Sequence, residues 1–369
     1  MVTDVVSPFP SSSKDTVLSI QSHVVSGYVG NRAATFPLQL LGYEVDVVNT
    51  VHFSNHTGYG RFKGHKTTPD ELQDIFDGLR VNGLLTHSRV LTGYIPGAEA
   101  LQVIAQEIKS MRHVNPDLCY LLDPVMGDVD RGLYVSPSVV PVYKQMLSLA
   151  TIITPNQFEI ETLTSVPIDS LPALHQALRL LHTEYHIPHV VCSSIPLKAN
   201  SLAGLALPSP PPSYTQFVPS PTPPWYDALG SDKATDEVLV CFASSWNGGK
   251  MRTWAYPLPT IRAAFTGTGD ILSAMILGHY SPNVSCPLPH AVSKALSVVQ
   301  QVLLRTHLHS LSQTTQSQET THPLSSPLRR SQEARKRELR LVQEQALISN
   351  SSEHWPGCEV PWDAIHLRS

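Results

Sequence analysis

Short apolar runs alternate with stretches of helical periodicity along most of the chain. Residues 17–20 are apolar and close on a polar turn, residues 30–41 carry helical spacing, and residues 45–48 are apolar again. The order then repeats. Residues 90–92, 118–122, 151–153 and 189–191 read as strands, and residues 98–113, 139–149 and 171–185 as helices. Strands alternating with helices predict an α/β fold: a central, mainly parallel sheet with helices on both faces. In such sheets ligands bind beyond the carboxyl ends of the strands. The polar motifs of this chain fall at those ends.

Two regions break the pattern. Residues 196–224 are rich in Pro and Ser, including SPPPS and SPTPP. So little apolar surface does not offset the entropy of ordering, which predicts a solvated insertion over about residues 196–235. An extended polyproline segment that recruits a protein partner is the alternative. Residues 238–243 and 252–256 then flank Asn247-Gly248-Gly249, a hairpin signal. The second break, residues 309–328, is polar and rich in Ser, Thr and Gln, while residues 331–347 have helical composition. The expected organisation is a flexible N-terminus (1–15), one domain (16–306) and a largely flexible tail (307–369) with one helical segment.

Composition adds limits. Of 369 residues, 41% are hydrophobic and 15% charged, enough for a sizeable core, and the formal net charge of -4 gives no basic surplus for nucleic acid or an anionic membrane. Five widely spaced cysteines, an odd number without zinc-ligand spacing, suggest reduced thiols in a cytoplasmic protein. The N-terminus lacks the basic-then-apolar pattern of a secretory signal. No run of about 18 apolar residues predicts a membrane span. The 17 histidines show no helical metal spacing, so no transition-metal site is expected.

The candidate chemistry lies in five segments. Gly267-Thr268-Gly269-Asp270 precedes the apolar stretch ILSAMILGHY. Unpaired N–H groups and the helix dipole favour an anion at such a helix start, and glycines let the backbone approach a phosphate. Asp270, in the first turn, has two readings: a base for a substrate hydroxyl or a helix cap. Asp123-Pro124-Val125-Met126-Gly127-Asp128 follows a strand. Its two carboxylates suit a magnesium ion carried by a nucleotide, or simply a solvated Asx-Pro turn. Thr154-Pro155-Asn156-Gln157-Phe158-Glu159 also follows a strand. Asn156 and Glu159 either meet phosphate and metal or form a capping box. Ser22 and His23 are expected just past the first strand, facing a cleft. The segment 53–59, with Asn55-His56-Thr57-Gly58-Tyr59, mixes polar and aromatic groups suited to a small aromatic ligand, and an ordinary loop is the plain alternative.

These segments resemble a known family. SIQSHVVSGYVGNRAATFPLQLLGYEVDVVNTVHFSNHTGYG (residues 19–60) resembles the opening of pyridoxal kinases, within the ribokinase-like superfamily. LTGY (91–94), DPVMGD (123–128), ITPNQFE (153–159) and GTGD (267–270) match in the same order. The likeness covers residues 16–195 and 237–306 and returns weakly in RELRLVQ (337–343). GTGD is shared by many kinases of the superfamily; the long block with NHTGY is far more specific.

The resemblance implies ATP-dependent phosphorylation of the 5′-hydroxymethyl group of pyridoxal, pyridoxine or pyridoxamine by a homodimer. Asp270 would be the base, with Gly267, Thr268 and Gly269 as the anion hole. Ser22 and Thr57 would hydrogen-bond the pyridine, and Tyr94 would stack on it with Val29 and His56 nearby. Asp128 and Glu159 would serve magnesium and the ATP phosphates, directly or through water. Asp123, Thr154 and Thr268 would surround a monovalent cation, potassium by the family's habit. Asn156 and Ser193 would lie by the phosphates, Ile261 and Ala263 near the adenine, and Tyr134 on a flap over the nucleotide. The sequence departs from the family in a short flap, VDRGL (129–133), in the long Pro-rich insertion, and in Cys192, where the family usually has a Thr that helps bind ATP or the cation. A thiol is a poor partner for a hard cation. A hydroxymethylpyrimidine or sugar kinase and a non-catalytic B6-binding protein are the rival readings.

Overall fold

The computed structural model describes residues 16–202, 204–217, 237–261, 263–316, 327–350 and 352–366. Its strands are β1 (Thr16–Ser26), β2 (Glu44–Asn55), β3 (Gly64–Lys66), β4 (Arg89–Thr92), β5 (Cys119–Leu122), β6 (Gly127–Asp128), β7 (Gly132–Leu133), β8 (Ile152–Ile153), β9 (His189–Lys198), β10 (Glu237–Asn247), β11 (Lys250–Leu258) and β12 (Cys358–Glu359). The helices are α1 (Asn31–Leu40), α2 (Pro69–Val81), α3 (Ala98–Val114), α4 (Val139–Met146), α5 (Gln157–Thr164), α6 (Leu171–Thr183), α7 (Pro212–Thr215), α8 (Thr268–His279), α9 (Pro287–Gln316), α10 (Pro327–Lys336), α11 (Gln345–Asn350) and α12 (Trp362–His366).

A 10-stranded sheet runs in the order β12-β11-β10-β9-β8-β5-β4-β1-β2-β3. From β2 through β1, β4, β5 and β8 to β9 the neighbours are parallel, and antiparallel strands extend both edges. Strand side chains alternate between faces, so each face has its own core. Leu18 and Ile20 join Phe76, Ile104, Tyr143 and Leu174 from α2, α3, α4 and α6. Val17 joins Leu38, Met275 and Val299 from α1, α8 and α9 on the other face. Helix α8 is apolar nearly all round, and residues 271–277 are all buried, as expected for a helix enclosed on every side.

The expected parallel sheet and the hairpin at Asn247 are present; Asn247 pairs with Lys250 across a two-residue loop. Four differences stand out. First, β1 and β2 run well beyond their apolar cores, so Ser22 and His23 lie within β1 rather than past it. Pairing with β2 continues beyond a bulge at Gln21/Ser22, where backbone hydrogen bonds, not apolar burial, hold the strand. Second, α2 has no counterpart among the expected elements, although Thr68 and Glu71 form a reciprocal capping box with Pro69 at the helix start.

Third, the insertion expected to be solvated is packed over residues 196–217, with 203 outside the described residues. β9 continues through residues 196–198 against β10, and Leu197, Leu202, Leu205 and Tyr214 are buried. Tyr214 meets the Trp355 ring edge-on at 5.3 Å. Sparse but well-placed apolar residues achieve what the segment's average composition does not suggest. The remainder, 218–236, lies outside the described residues, as does the N-terminus (1–15).

Fourth, much of the tail is built into the fold rather than flexible. α9 continues to Gln316, Leu339, Leu341, Ile348, Trp355, Val360 and Trp362 are buried, and β12 adds to the sheet edge. The helical segment expected over 331–347 is split into α10 and α11, because Leu339 and Leu341 are drawn into the core between them. Residues 317–326 lie outside the described residues. Among the described residues no helix is long and apolar enough to cross a membrane.

Candidate active site

The carboxyl ends of the parallel strands open onto a cavity of about 1120 Å³. β1 brings Ser22, the turn after β4 brings Tyr94, Asp123 directly follows β5, Thr154 directly follows β8, and β9 carries Ser193. The β1–α1 turn adds Val29. The loop after β2 adds His56 and Thr57. The hairpin β6–β7 adds Asp128 and Tyr134. The start of α5 adds Asn156 and Glu159. Ile261 and Ala263 follow β11, and Gly267, Thr268, Gly269 and Asp270 open α8. The residues expected to serve substrate, nucleotide and cations therefore line one cavity. His23, expected to face the cleft beside Ser22, does not line it: neighbouring strand residues point to opposite faces, and its ring lies 5.3 Å from that of His52.

The turn into α8 depends on glycine. Gly267 has φ 86°, and a Cβ there would lie 2.1 Å from the Tyr28 carbonyl oxygen. The backbone can thus turn sharply and leave the first N–H groups of α8 facing the cavity. Asp270 is half-buried in the first helical turn, and its Oδ2 accepts the Gly30 N–H at 2.8 Å. Burial pushes its carboxyl above the usual range, and the Gly30 bond opposes that only in part.

Asp123 is buried beside it. Its Oδ2 accepts from the Ser273 hydroxyl at 3.0 Å, and Ser273 and Thr154 hydroxyls lie 2.9 Å apart. Burial first, then the Asp270 charge, push Asp123 up to about 7, against the two hydroxyls. An acid raised in this way holds its proton longer folded than unfolded. In the cation-free protein stability should therefore fall as pH rises from about 4 to about 7, by up to about 1.4 kcal/mol per pH unit. Thermal melts across that range check it, and Asp123→Asn should flatten the profile.

Asn156 and Glu159 do form the capping box: Asn156 Oδ1 accepts the Glu159 N–H, and Glu159 Oε2 accepts the Asn156 N–H, both at 2.9 Å. They line the cavity as well, so the cap leaves them on the wall of the site. Glu159 Oε1 accepts the Met126 N–H at 2.9 Å and Asn156 Nδ2 donates to the Gly127 carbonyl at 2.8 Å, which pins the flap to α5. Burial, then the Asp123 charge, hold the Glu159 carboxyl well above its usual range. Asp128 is exposed toward the cavity.

Among the described residues no group of three or more His, Cys, Asp and Glu side chains is placed to enclose a metal. One open carboxylate, Asp128, and one with both oxygens occupied by N–H groups, Glu159, fit magnesium that arrives on a nucleotide and keeps its waters. The buried Asp123 carboxylate, with Thr154 beside it, fits a small cation that would relieve its burial.

Cys192 is a departure without a place in the cavity. Its side chain is fully buried in the core on β9 and is absent from the wall.

One wall was not anticipated. Arg330, Glu333, Ala334, Arg337 and Glu338 close the side of Thr57 and Gly58. Glu338 accepts the Tyr28 N–H at 2.9 Å and bonds His56 Nε2 at 2.9 Å and the Tyr59 hydroxyl at 2.8 Å. The RELRLVQ likeness marked this segment without assigning it to the site.

A strand-end cavity faced by a glycine-led helix start, with a carboxylate in that helix's first turn, defines a ribokinase-like phosphotransferase. The chain matches the family model described as phosphomethylpyrimidine kinase over residues 40–203. It is 40% identical to the pyridoxal kinase of Arabidopsis thaliana, over 80% of this chain and 83% of that one. Identity to the Homo sapiens pyridoxal kinase is 39%, over 79% and 85%. The solved pyridoxal kinase of Leishmania donovani, in complex with ADP and ginkgotoxin, superposes with a TM-score of 0.72 at 31% identity, covering 94% of this chain and 100% of that one. The chain belongs to the pyridoxal kinase family.

Proposed function

We propose that this protein transfers the γ-phosphoryl group of ATP to the 5′-hydroxyl of pyridoxal, and of pyridoxine and pyridoxamine, giving the 5′-phosphates and ADP in vitamin B6 salvage. The observation that carries this is Asp270 on the cavity wall, in the first turn of α8, beside N–H groups that can hold a phosphoryl. The structure of the Leishmania donovani relative with ADP and pyridoxamine supports the pairing of a nucleotide with a B6 vitamer.

Phosphoryl transfer needs in-line positioning and charge neutralisation more than covalent chemistry. The vitamer lies between Ser22, Thr57 and Tyr94, with Val29 and His56 beside its ring. The nucleotide lies under Tyr134, its phosphates by Asn156, Ser193, Thr268 and Gly269 and its adenine by Ile261 and Ala263. The 5′-oxygen forms a bond to the γ-phosphorus, the bond from that phosphorus to the bridging oxygen breaks, and ADP leaves with the electron pair. Asp270 takes the hydroxyl proton as the new bond forms. The N–H groups of 267–269 stabilise the charge on the moving phosphoryl. Asp128 and Glu159 would hold magnesium, directly or through water, and the ion would supply charge neutralisation on the phosphates. Asp123, Thr154 and Thr268 would hold a monovalent cation, which we take to be potassium. The homodimeric state and cytoplasmic location belong to the same proposal and are supported by the family resemblance.

The test is ADP formation with each B6 vitamer and with hydroxymethylpyrimidine. Turnover on the vitamers is the expected result. Binding without ADP formation would instead make the protein a B6 carrier, and preference for the pyrimidine would move it to the neighbouring kinase class. For the cation, potassium added at pH 8 should raise Tm of the wild type and leave Asp123→Asn unchanged. Equal shifts would remove Asp123 from that role.

A further inference from the structure

Glu338 lies 282 residues from His56 and 310 from Tyr28 in sequence, yet one carboxylate joins the loops that carry them. His56 Nδ1 accepts the Gly58 N–H at 3.2 Å, so that nitrogen carries no proton. The proton sits on Nε2, which donates to Glu338 Oε1 at 2.9 Å. Both ring nitrogens are thus committed within the protein, and the ring offers the cavity its carbon atoms rather than a polar contact. Tyr59 donates to the same oxygen at 2.8 Å, and Oε2 receives the Tyr28 N–H at 2.9 Å. The main chain is trimmed to admit the group, since a Cβ on Gly27 would lie 2.6 Å from Oε1. The next residue, Leu339, is 1% exposed, and its Cδ1 is 3.4 Å from where a Cβ on Gly267 would sit. One short segment therefore touches both the loop that faces the vitamer and the turn that faces the phosphoryl.

We propose that Glu338 is a positioning residue for the vitamer side of the cavity: it holds the orientation of His56, whose tautomer the Gly58 N–H sets, and ties loop 56–59 to the turn before α1. This rests on the function proposed above. Burial alone would raise the Glu338 carboxyl, but the bonds from His56, Tyr28 and Tyr59 outweigh it and hold the group below its usual range, in keeping with a charged acceptor.

Glu338→Ala should raise KM for pyridoxal by about tenfold or more, the equivalent of one lost bond to a charged group. KM for ATP should change by less than about twofold, because the segment's bonds are to the vitamer-side loops. Glu338→Gln, which keeps one acceptor oxygen for His56 and Tyr59, should recover part of the loss. Should Glu338→Ala fail to fold, Tyr59→Phe decides: a rise of about two- to tenfold in KM for pyridoxal alone supports the proposal. Equal rises in both KM values, or a lowered Tm with unchanged KM, overturn it. The His56 ring nitrogen chemical shifts read the tautomer without turnover, so the proposal is tested even if the wild type proves not to phosphorylate pyridoxal. An Nε2 proton protected from exchange is expected in the wild type. Glu338→Ala, in which the Gly58 N–H still meets Nδ1, should keep the tautomer but lose that protection, and an unprotected Nε2 proton or a tautomeric mixture in the wild type overturns the assignment.

Discussion

The Asp270→Asn protein is expected to turn over pyridoxal at least about 100- to 1000-fold more slowly than the wild type, the cost of removing one strong transition-state contact. The amide is nearly isosteric, and its oxygen can still accept the Gly30 N–H that Asp270 accepts at 2.8 Å. Tm should therefore change little, and the loss should fall on kcat. Near-normal ADP formation by the folded variant would remove Asp270 from the role of base. The pH profile gives a second check. A base must be ionised to act, and burial holds this carboxyl above the usual range. The acid limb of kcat/KM should therefore lie above ordinary carboxylate values and disappear in the variant.

The second large effect is expected at a residue with no side chain. Gly30 has φ 51°, and a Cβ there would lie 2.1 Å from the Ser22 carbonyl oxygen and 2.3 Å from its hydroxyl. Gly30→Ala must shift the end of β1 together with the N–H that holds Asp270. Misplacing a catalytic group by about 1 Å can cost about 100-fold, and we expect a loss of that order in kcat/KM with a lowered Tm. Gly83→Ala is the control. Gly83 also has positive φ, 67°, but nothing lies within 4 Å of its Cβ position. It should show only the backbone cost, about 1 kcal/mol, with unchanged kinetics. Matching kinetic losses in the two variants would mean that the crowding at Ser22 does not matter.

The parts of the site that the sequence displays are those built from neighbouring residues. Gly267 to Asp270 place a bend, a helix start and a carboxylate within one turn, so the local pattern suffices. The same holds for Asp123 at the end of β5 and for the capping box of Asn156 and Glu159, although spacing alone did not reveal that both residues also face the cavity. Ser22 was placed beyond β1 because a polar residue ends an apolar run, whereas the strand is sustained by its pairing with β2. Glu338 was invisible as a site residue because its role depends on the chain returning across some 300 residues, which no local periodicity records. The buried tail and the packing of residues 196–217 escape the sequence for a related reason. Average composition hides a few decisive contacts, such as Tyr214 against Trp355.

The late return of the chain has a bearing on synthesis. Domains generally begin folding from the N-terminus as they leave the ribosome. Here β1 is made well before the wall beside its loop, which residues 330–338 supply, and before the far sheet edge, which β12 supplies. A nascent chain still tethered short of these residues holds Asp270 and the glycine-led turn before α8 but lacks one side of the chamber. The chamber thus closes only after residues 330–359 have been made, and a bulky insertion beside β12 would intrude on one of the last pieces to dock.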